Sequence, residues 1–191
     1  MHASIKEHLK RYVAPSEEAI HLFKTSLNDI SVSKGKYLLQ PGTEVKYICF
    51  VVKGCLKAYY MDEKGNKHII QFAIENWWIC DFEAFYNHAP SRLYIEAIED
   101  SQLFSMRYDR LEQIYKEAPV FERYFRILIT NAFISQRQRI LSSLEKDTKA
   151  RYLEFCKAYP NIENRVTNYH IANYLGVTPE NLSRVRSKLK R

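Results

Sequence analysis

Apolar and polar positions alternate along this chain with two different periods, and the changes of period divide it. Ile5 to Val13 and Ser16 to Leu27 carry helical spacing, and Pro15 before Ser16-Glu17-Glu18 marks a capped helix start. From about Ile30 the period shortens. Strand-like runs follow at Tyr37–Leu39, Tyr47–Val52, Leu56–Met61, Lys67–Ala73, Tyr94–Ile98 and Gln102–Met106. Turn signals separate them: Gln40-Pro41-Gly42-Thr43, Lys53-Gly54, and Asp62-Glu63-Lys64-Gly65-Asn66, which reads as a hairpin connection. Short strands at this spacing predict an antiparallel sandwich or barrel. Tyr108 to Glu117 returns to helix.

After Pro119 the pattern predicts one long helix, from Val120 to about Leu144. Tyr124, Ile127, Asn131, Ile134, Gln138 and Leu141 follow one another at spacings of three and four. That is a heptad seam with two polar members, and a buried Asn in such a seam specifies register at a cost in stability. A second line, Phe121, Phe125, Leu128 and Ala132, lies on an adjacent face. The expectation is a parallel dimer through the first line, against the alternative of a helix packed wholly within one chain. Asp147 to Ala158 predicts a further helix, ended by Pro160-Asn161, and the domain boundary is expected near Glu145 to Thr148.

The last 25 residues carry two short helices and a tight turn. Ile171, Ala172 and Leu175 form one apolar face. Gly176 stands where a helix ends in the left-handed conformation, Thr178 is a good N-cap, and Pro179 suits the first helical position. Leu182, Val185 and Leu189 give the second helix its buried stripe. This is the helix-turn-helix pattern, whose second helix enters the DNA major groove. The side chains off the stripe suit base and phosphate contacts: Arg to guanine, Asn to adenine, Glu to cytosine. The candidate DNA-contacting residues are Thr167, His170, Thr178, Pro179, Glu180, Asn181, Ser183, Arg184, Arg186 and Lys188. His170 is read either as a phosphate contact or as plain surface.

Charge changes the picture in the same direction. Val120 to Arg191 carries 14 Lys and Arg against 6 Asp and Glu, whereas Met1 to Pro119 carries 15 against 16. All the excess behind the net charge of +7 therefore coincides with the helix pair, as expected of a nucleic-acid binder. No run is long and apolar enough to span a membrane, and Met1 to His8 has no secretory pattern, so a cytoplasmic protein with no membrane partner is expected. Cys49, Cys55, Cys80 and Cys156 lack paired spacing, which argues against a metal or iron–sulfur site. There is no Gly-rich phosphate loop and no His-Glu-x-x-His, and no enzyme activity is expected.

In the order of its parts the chain resembles the Crp/Fnr family of bacterial transcription regulators, over nearly its whole length. The most specific stretches are Ile171 to Arg184, Gly35-Lys36-Tyr37-Leu38-Leu39-Gln40-Pro41-Gly42, and Lys53-Gly54-Cys55-Leu56-Lys57. The resemblance implies an α+β chain. It would have an N-terminal antiparallel β-roll (a double-stranded β-helix or jelly roll) flanked by helices over 1–119 and a long dimerisation helix over 120–145. An all-α helix-turn-helix domain over 146–191 would follow, with a reduced or absent wing. It implies a homodimer on two-fold-symmetric double-stranded DNA, RNA polymerase as a candidate partner, and an unknown small-molecule effector. Glu180 and Arg184 match the usual base-contacting positions, while Pro179 stands where many members carry a longer polar side chain.

Cyclic-nucleotide-binding members carry a Gly-Glu and a downstream Arg-Ser-Ala. Here Cys80-Asp81 and Ser91-Arg92 stand instead, so the cradle reads as degenerate and no cofactor is expected. The candidate effector pocket is Phe72, Trp78, Asp81, Phe82, Ser91 and Arg92, with the aromatic members read as pocket wall or ordinary core. An alternative role is a sensing module in which the ligand response is the main activity. Members with a sensory iron–sulfur cluster carry an N-terminal cysteine group, and no cysteine precedes Cys49.

Overall fold

The computed structural model describes residues 3–189; Met1, His2, Lys190 and Arg191 lie outside the described residues. The chain begins with α1 (Ala3–Lys10) and α2 (Glu17–Thr25). Ser16 starts α2 as the sequence predicts: its hydroxyl oxygen accepts from the Ala19 amide at 3.2 Å. Glu17 and Glu18 then occupy the first turn, where the helix dipole favours negative charge.

Eight strands follow: β1 (Asn28–Val32), β2 (Tyr37–Leu39), β3 (Tyr47–Lys53), β4 (Leu56–Met61), β5 (Lys67–Ala73), β6 (Trp78–Ile79), β7 (Tyr94–Ala97) and β8 (Ser101–Arg107). They form two four-stranded sheets, in the orders β1-β8-β3-β6 and β2-β7-β4-β5. β8 pairs antiparallel with β1 and β3, and β2 pairs antiparallel with β7. The six predicted strands all form. β1 and β6 were not predicted: β1 has only Ile30 and Val32 as apolar members, and β6 is two residues long. Side chains of both sheets, including Val51, Leu56, Ile79, Ile95 and Leu103, make one core. At the β3–β4 turn Gly54 has φ +107, and a Cβ there would lie 2.3 Å from Ser101 Oγ, so the turn needs glycine twice over.

α3 (Phe82–Asn87) sits between β6 and β7, and α4 (Tyr108–Glu117), α5 (Val120–Glu145) and α6 (Thr148–Ala158) follow β8. The C-terminal pair is α7 (Asn168–Leu175) and α8 (Pro179–Leu189). The chain divides into two compact units, Met1–Ala58 with Phe72–Asn131, and Tyr59–Gln71 with Ala132–Arg191. α5 is thus shared between them, and the β4–β5 hairpin tip belongs with the C-terminal helices.

The first unit has a second core in which Ile5, Leu9, Phe23, Phe50, Phe85, Met106, Ile114, Phe121 and Tyr124 are all buried. This corrects one seam assignment. Tyr124 was expected to face a partner chain, but it is wholly buried. Trp78 Nε1 donates to its hydroxyl at 2.9 Å, and the hydroxyl lies 2.7 Å from His8 Nδ1. An indole N–H only donates, so the tyrosine hydrogen is left to go to His8.

Candidate nucleic-acid interface

The second unit builds the helix pair on its own capping residues. Asp147 starts α6 by accepting from the Ala150 amide at 2.8 Å, and Thr167 starts α7 by accepting from the His170 amide at 3.3 Å. α7 ends at Gly176, which has φ 65, and Thr178 starts α8 by accepting from the Asn181 amide at 3.2 Å. Beneath them Ile171, Ala172, Leu175 and Leu182 are buried, as are Tyr152, Phe155, Ile162 and Val166. The sequence reading of both helices, their turn and the caps at Gly176 and Thr178 is therefore what forms.

Two arginines hold the end of α7. Arg139 of α5 donates to the Tyr174 carbonyl at 2.7 Å, and its guanidinium stands 3.8 Å from the Tyr174 ring centre. The same guanidinium donates to the carbonyls of Ile70 at 2.6 Å and Ile69 at 2.9 Å on β5. Arg151 of α6 donates to the Leu175 carbonyl. The last carbonyls of a helix have no partner within it and carry partial negative charge, so two cations there complete the helix.

The predicted contact residues separate into two groups. Thr178, Glu180, Ser183, Arg184 and Lys188 are exposed, and Ser187, which the sequence reading passed over, is exposed with them. On a helix of 3.6 residues per turn the five from Glu180 to Lys188 share one face of about 140°. Asn181 and Arg186 do not join it. Asn181 Nδ2 donates to Thr148 Oγ1 at 3.2 Å, so its amide is turned to α6. Arg186 donates to Asn168 Oδ1 at 3.2 Å and lies 5.9 Å from the Tyr152 ring centre. Both were expected to read DNA, and intramolecular partners hold both instead. Pro179 is half-buried and offers its carbonyl to Asn168. Thr167 is exposed beside its cap, and His170 is half-buried next to Tyr169.

The long helix also differs from its predicted line. Beyond the core the exposed apolar residues of α5 are Ile129, Phe133, Ile134, Ile140, Leu141 and Leu144, with Phe133 66% and Leu144 77% exposed. Ile129, Phe133, Ile140 and Leu144 lie within about 60° of one another, and the line through Asn131 and Gln138 is roughly 160° further round. Ile134 and Leu141 lie between the two, about 60–80° beyond the edge of the stripe and within the predicted line. Ile127 is half-buried, and Asn131 and Gln138 are exposed.

In the β-roll, Asp81 and Ser91 form a closed buried pair. Ser91 Oγ donates to Asp81 Oδ2 at 2.7 Å, and Asp81 Oδ1 caps α3 by accepting from the Ala84 amide at 3.2 Å. Both carboxylate oxygens are thus used within the chain. Phe72 is wholly buried, Trp78 packs against Phe50 and Phe125, and Phe82 stacks on Tyr86. Arg92 is exposed. Of the six predicted effector residues Asp81 lines a cavity of about 310 Å³. Its wall joins apolar Ile30, Leu38, Leu39, Cys49, Ile79 and Ile95 to polar Gln40, Thr43, Glu44 and Lys46. Burial pushes the Cys49 thiol up to about 12, so it stays protonated and unreactive near neutral pH. Among the described residues no group of three or more His, Cys, Asp or Glu is placed to hold a metal ion, and no helix is long and apolar enough to cross a membrane.

A double-sheet β-roll, a long helix and a helix-turn-helix follow one another along this chain, and known proteins share that order. Residues 29–118 match the cyclic nucleotide-binding domain family. The chain is 23% identical over 175 residues to electron transport regulator A of Shewanella oneidensis, covering 84% of this chain and 68% of that protein. It is 24% identical over 172 residues to the fumarate and nitrate reduction regulatory protein of Escherichia coli, with the same coverage. In fold it is similar to the c-di-GMP-responsive global regulator CLP of Xanthomonas campestris, with a TM-score of 0.73, 13% identity and 92% of each chain covered. FixK2 of Bradyrhizobium japonicum also gives a TM-score of 0.73, at 20% identity, covering 86% of this chain and 84% of that one. The chain is thus similar, in sequence and in fold, to Crp/Fnr-type transcription regulators.

Proposed function

We propose that this chain is a cytoplasmic, homodimeric regulator that reads DNA sequence by placing α8 in the major groove. The observation that carries the reading is the exposed face of α8, where Glu180, Ser183 and Arg184 stand together on a helix whose other sides are committed to packing. Arg184 suits a bidentate contact to guanine and Glu180 suits the N4 donor of cytosine. Lys188, Thr178 and the first amides of α8 suit phosphates, which set register and carry no sequence information. The apolar stripe of α5 supports a dimer, since it is large, exposed and continuous with the helix that leads to the reading head.

The effector side of the proposal is that the cyclic-nucleotide cradle is degenerate. Asp81 is committed to Ser91 and the start of α3, and a carboxylate repels a phosphate where a binding site needs a cation. The neighbouring, partly apolar cavity favours, as a second reading, a sensing role with a small ligand.

Selection of the purified protein on a random duplex library, at near-physiological salt, tests the main reading. The expected product is a two-fold motif with half-site centres about one helical turn apart. Arg184→Ala should flatten one position of each half-site while weak binding persists. Equal loss on every sequence would give Arg184 a phosphate role instead. Calorimetry with cyclic AMP and cyclic GMP tests the cradle, and micromolar binding of either would overturn its degeneracy.

A further inference from the structure

Asn168, the first residue of α7, reaches α8 at three points. Its Nδ2 donates to the Pro179 carbonyl and to Ser183 Oγ, both at 3.0 Å, and its Oδ1 accepts from Arg186 Nη1 at 3.2 Å. Chemistry fixes the orientation of this amide. A guanidinium only donates and a carbonyl only accepts, so a flipped amide would lose both partners.

Ser183 follows Pro179 by four residues. A serine at that spacing in a helix tends to donate its hydroxyl back to the carbonyl of the preceding turn. Here Asn168 already occupies the Pro179 carbonyl, and its Nδ2 also fills a lone pair of Ser183 Oγ. What the exposed Ser183 has left to present is its hydrogen, freed from the preceding turn, and one lone pair. It presents both on the face shared with Glu180 and Arg184.

We propose that Asn168 is a positioning residue that sets base specificity, by making Ser183 a hydrogen-bond donor toward the edge of a base. In the major groove guanine offers two acceptors and no donor, whereas cytosine offers only its N4 donor. A donated Ser183 hydrogen therefore favours an acceptor edge, guanine or thymine, over cytosine on the strand it faces. Arg186 acts in the same chain of bonds, holding the Asn168 amide in the orientation that leaves Nδ2 for Ser183. The inference rests on the DNA-reading function proposed above.

Asn168→Asp is the discriminating variant. Its carboxylate has no hydrogen to give, keeps the bond to Arg186 as a charged pair, and suits the first turn of a helix. It would accept the Ser183 hydrogen and leave Ser183 to offer lone pairs. Duplex selection with wild type, N168D, N168A, S183A and the N168D/S183A double variant, at one salt concentration, reads the result. At one motif position, guanine or thymine in the wild type should become cytosine in N168D. In N168A the preference there should weaken by roughly fivefold or more, the low end of the range for a base contact. Other positions and the salt slope should not move, and N168D should change nothing once Ser183 is alanine. Retention of the wild-type base by both Asn168 variants overturns the inference, as does a loss spread evenly over every position, which is what a loosened helix would give. A wild type that yields no motif fails one step earlier and takes the DNA-reading function down with it.

Discussion

At the scale of single residues, His8 shows how a buried polar group ties stability to pH. Burial first, and the Arg11 charge second, lower its pKa from 6.5 to about 4. The bond to Tyr124 is consistent with that direction, because Nδ1 accepts the tyrosine hydrogen only when the ring is neutral. A base whose folded pKa lies below its unfolded one favours the folded state above the unfolded value. That contribution is complete above about pH 6.5 and is lost as pH falls toward about 4. Its size is up to about 3 kcal/mol. The expected result, from denaturant melts followed by the fluorescence of Trp77 and Trp78, is a stability that drops between pH 7 and pH 4. The drop should shrink by about that amount in His8→Gln, whose amide can still accept from Tyr124 but does not titrate. Equal drops in both proteins would remove His8 as the cause. Nothing in the sequence around His8 announces this role, since its partner is 116 positions away. Asn168 was missed for the same reason. The cap residues Ser16 and Thr178 were legible because each acts on an amide three residues on, and Asp147 and Thr167, not read as caps, act in the same way.

At the scale of elements, α4, α5 and α6 came out within a residue or two of the boundaries set by periodicity and capping. The clear departure on α5 is Tyr124, which is buried. Periodicity gives the helix several apolar lines, and only the tertiary structure decides which one the chain consumes itself. Tyr124 heads the line predicted for the seam, yet with Phe121 and Phe125 it goes into the core of the first unit. The stripe left over runs through Ile129, Phe133, Ile140 and Leu144. If a second copy covers that stripe, Phe133→Glu should raise the dimer dissociation constant by at least about a hundredfold, because each copy loses about 1.5–3 kcal/mol of burial and gains a charge. Gln138→Glu, on the line first predicted, should leave it nearly unchanged. Sedimentation equilibrium separates the two, and a reversed result would restore the line through Asn131 and Gln138. For the candidate effector pocket the sequence left two readings open, pocket wall and ordinary core. Aromatic residues near Trp78 were legible as a cluster, but whether the cluster surrounds a space or fills it depends on packing that local spacing does not contain.

At the scale of the whole molecule, the chain order and the compact units disagree in an informative way. Tyr59–Gln71 is written between two strands of the β-roll, yet it groups with the C-terminal helices. Arg139 supplies a physical reason. One guanidinium takes carbonyls from Ile69 and Ile70 on β5 and from Tyr174 at the end of α7, and it also lies against the Tyr174 ring. Five donors in a rigid planar fork allow a single side chain to do this, and lysine could not. The hairpin and the turn of the helix pair should therefore open together. Arg139→Met keeps much of the length and the apolar stem while removing every donor. Hydrogen bonds to charged groups contribute about 1.5–3 kcal/mol, so amide exchange should quicken by roughly tenfold to a hundredfold in two places at once. One is β5 near Ile70, and the other is the Tyr174 to Val177 turn. Amides of β3 and β8, in the other unit, should keep their wild-type rates. Arg139→Lys should behave like the methionine variant, because charge without the fork restores only one of the three bonds. Faster exchange at the hairpin alone, or at the turn alone, would show that Arg139 decorates two neighbouring elements without coupling them.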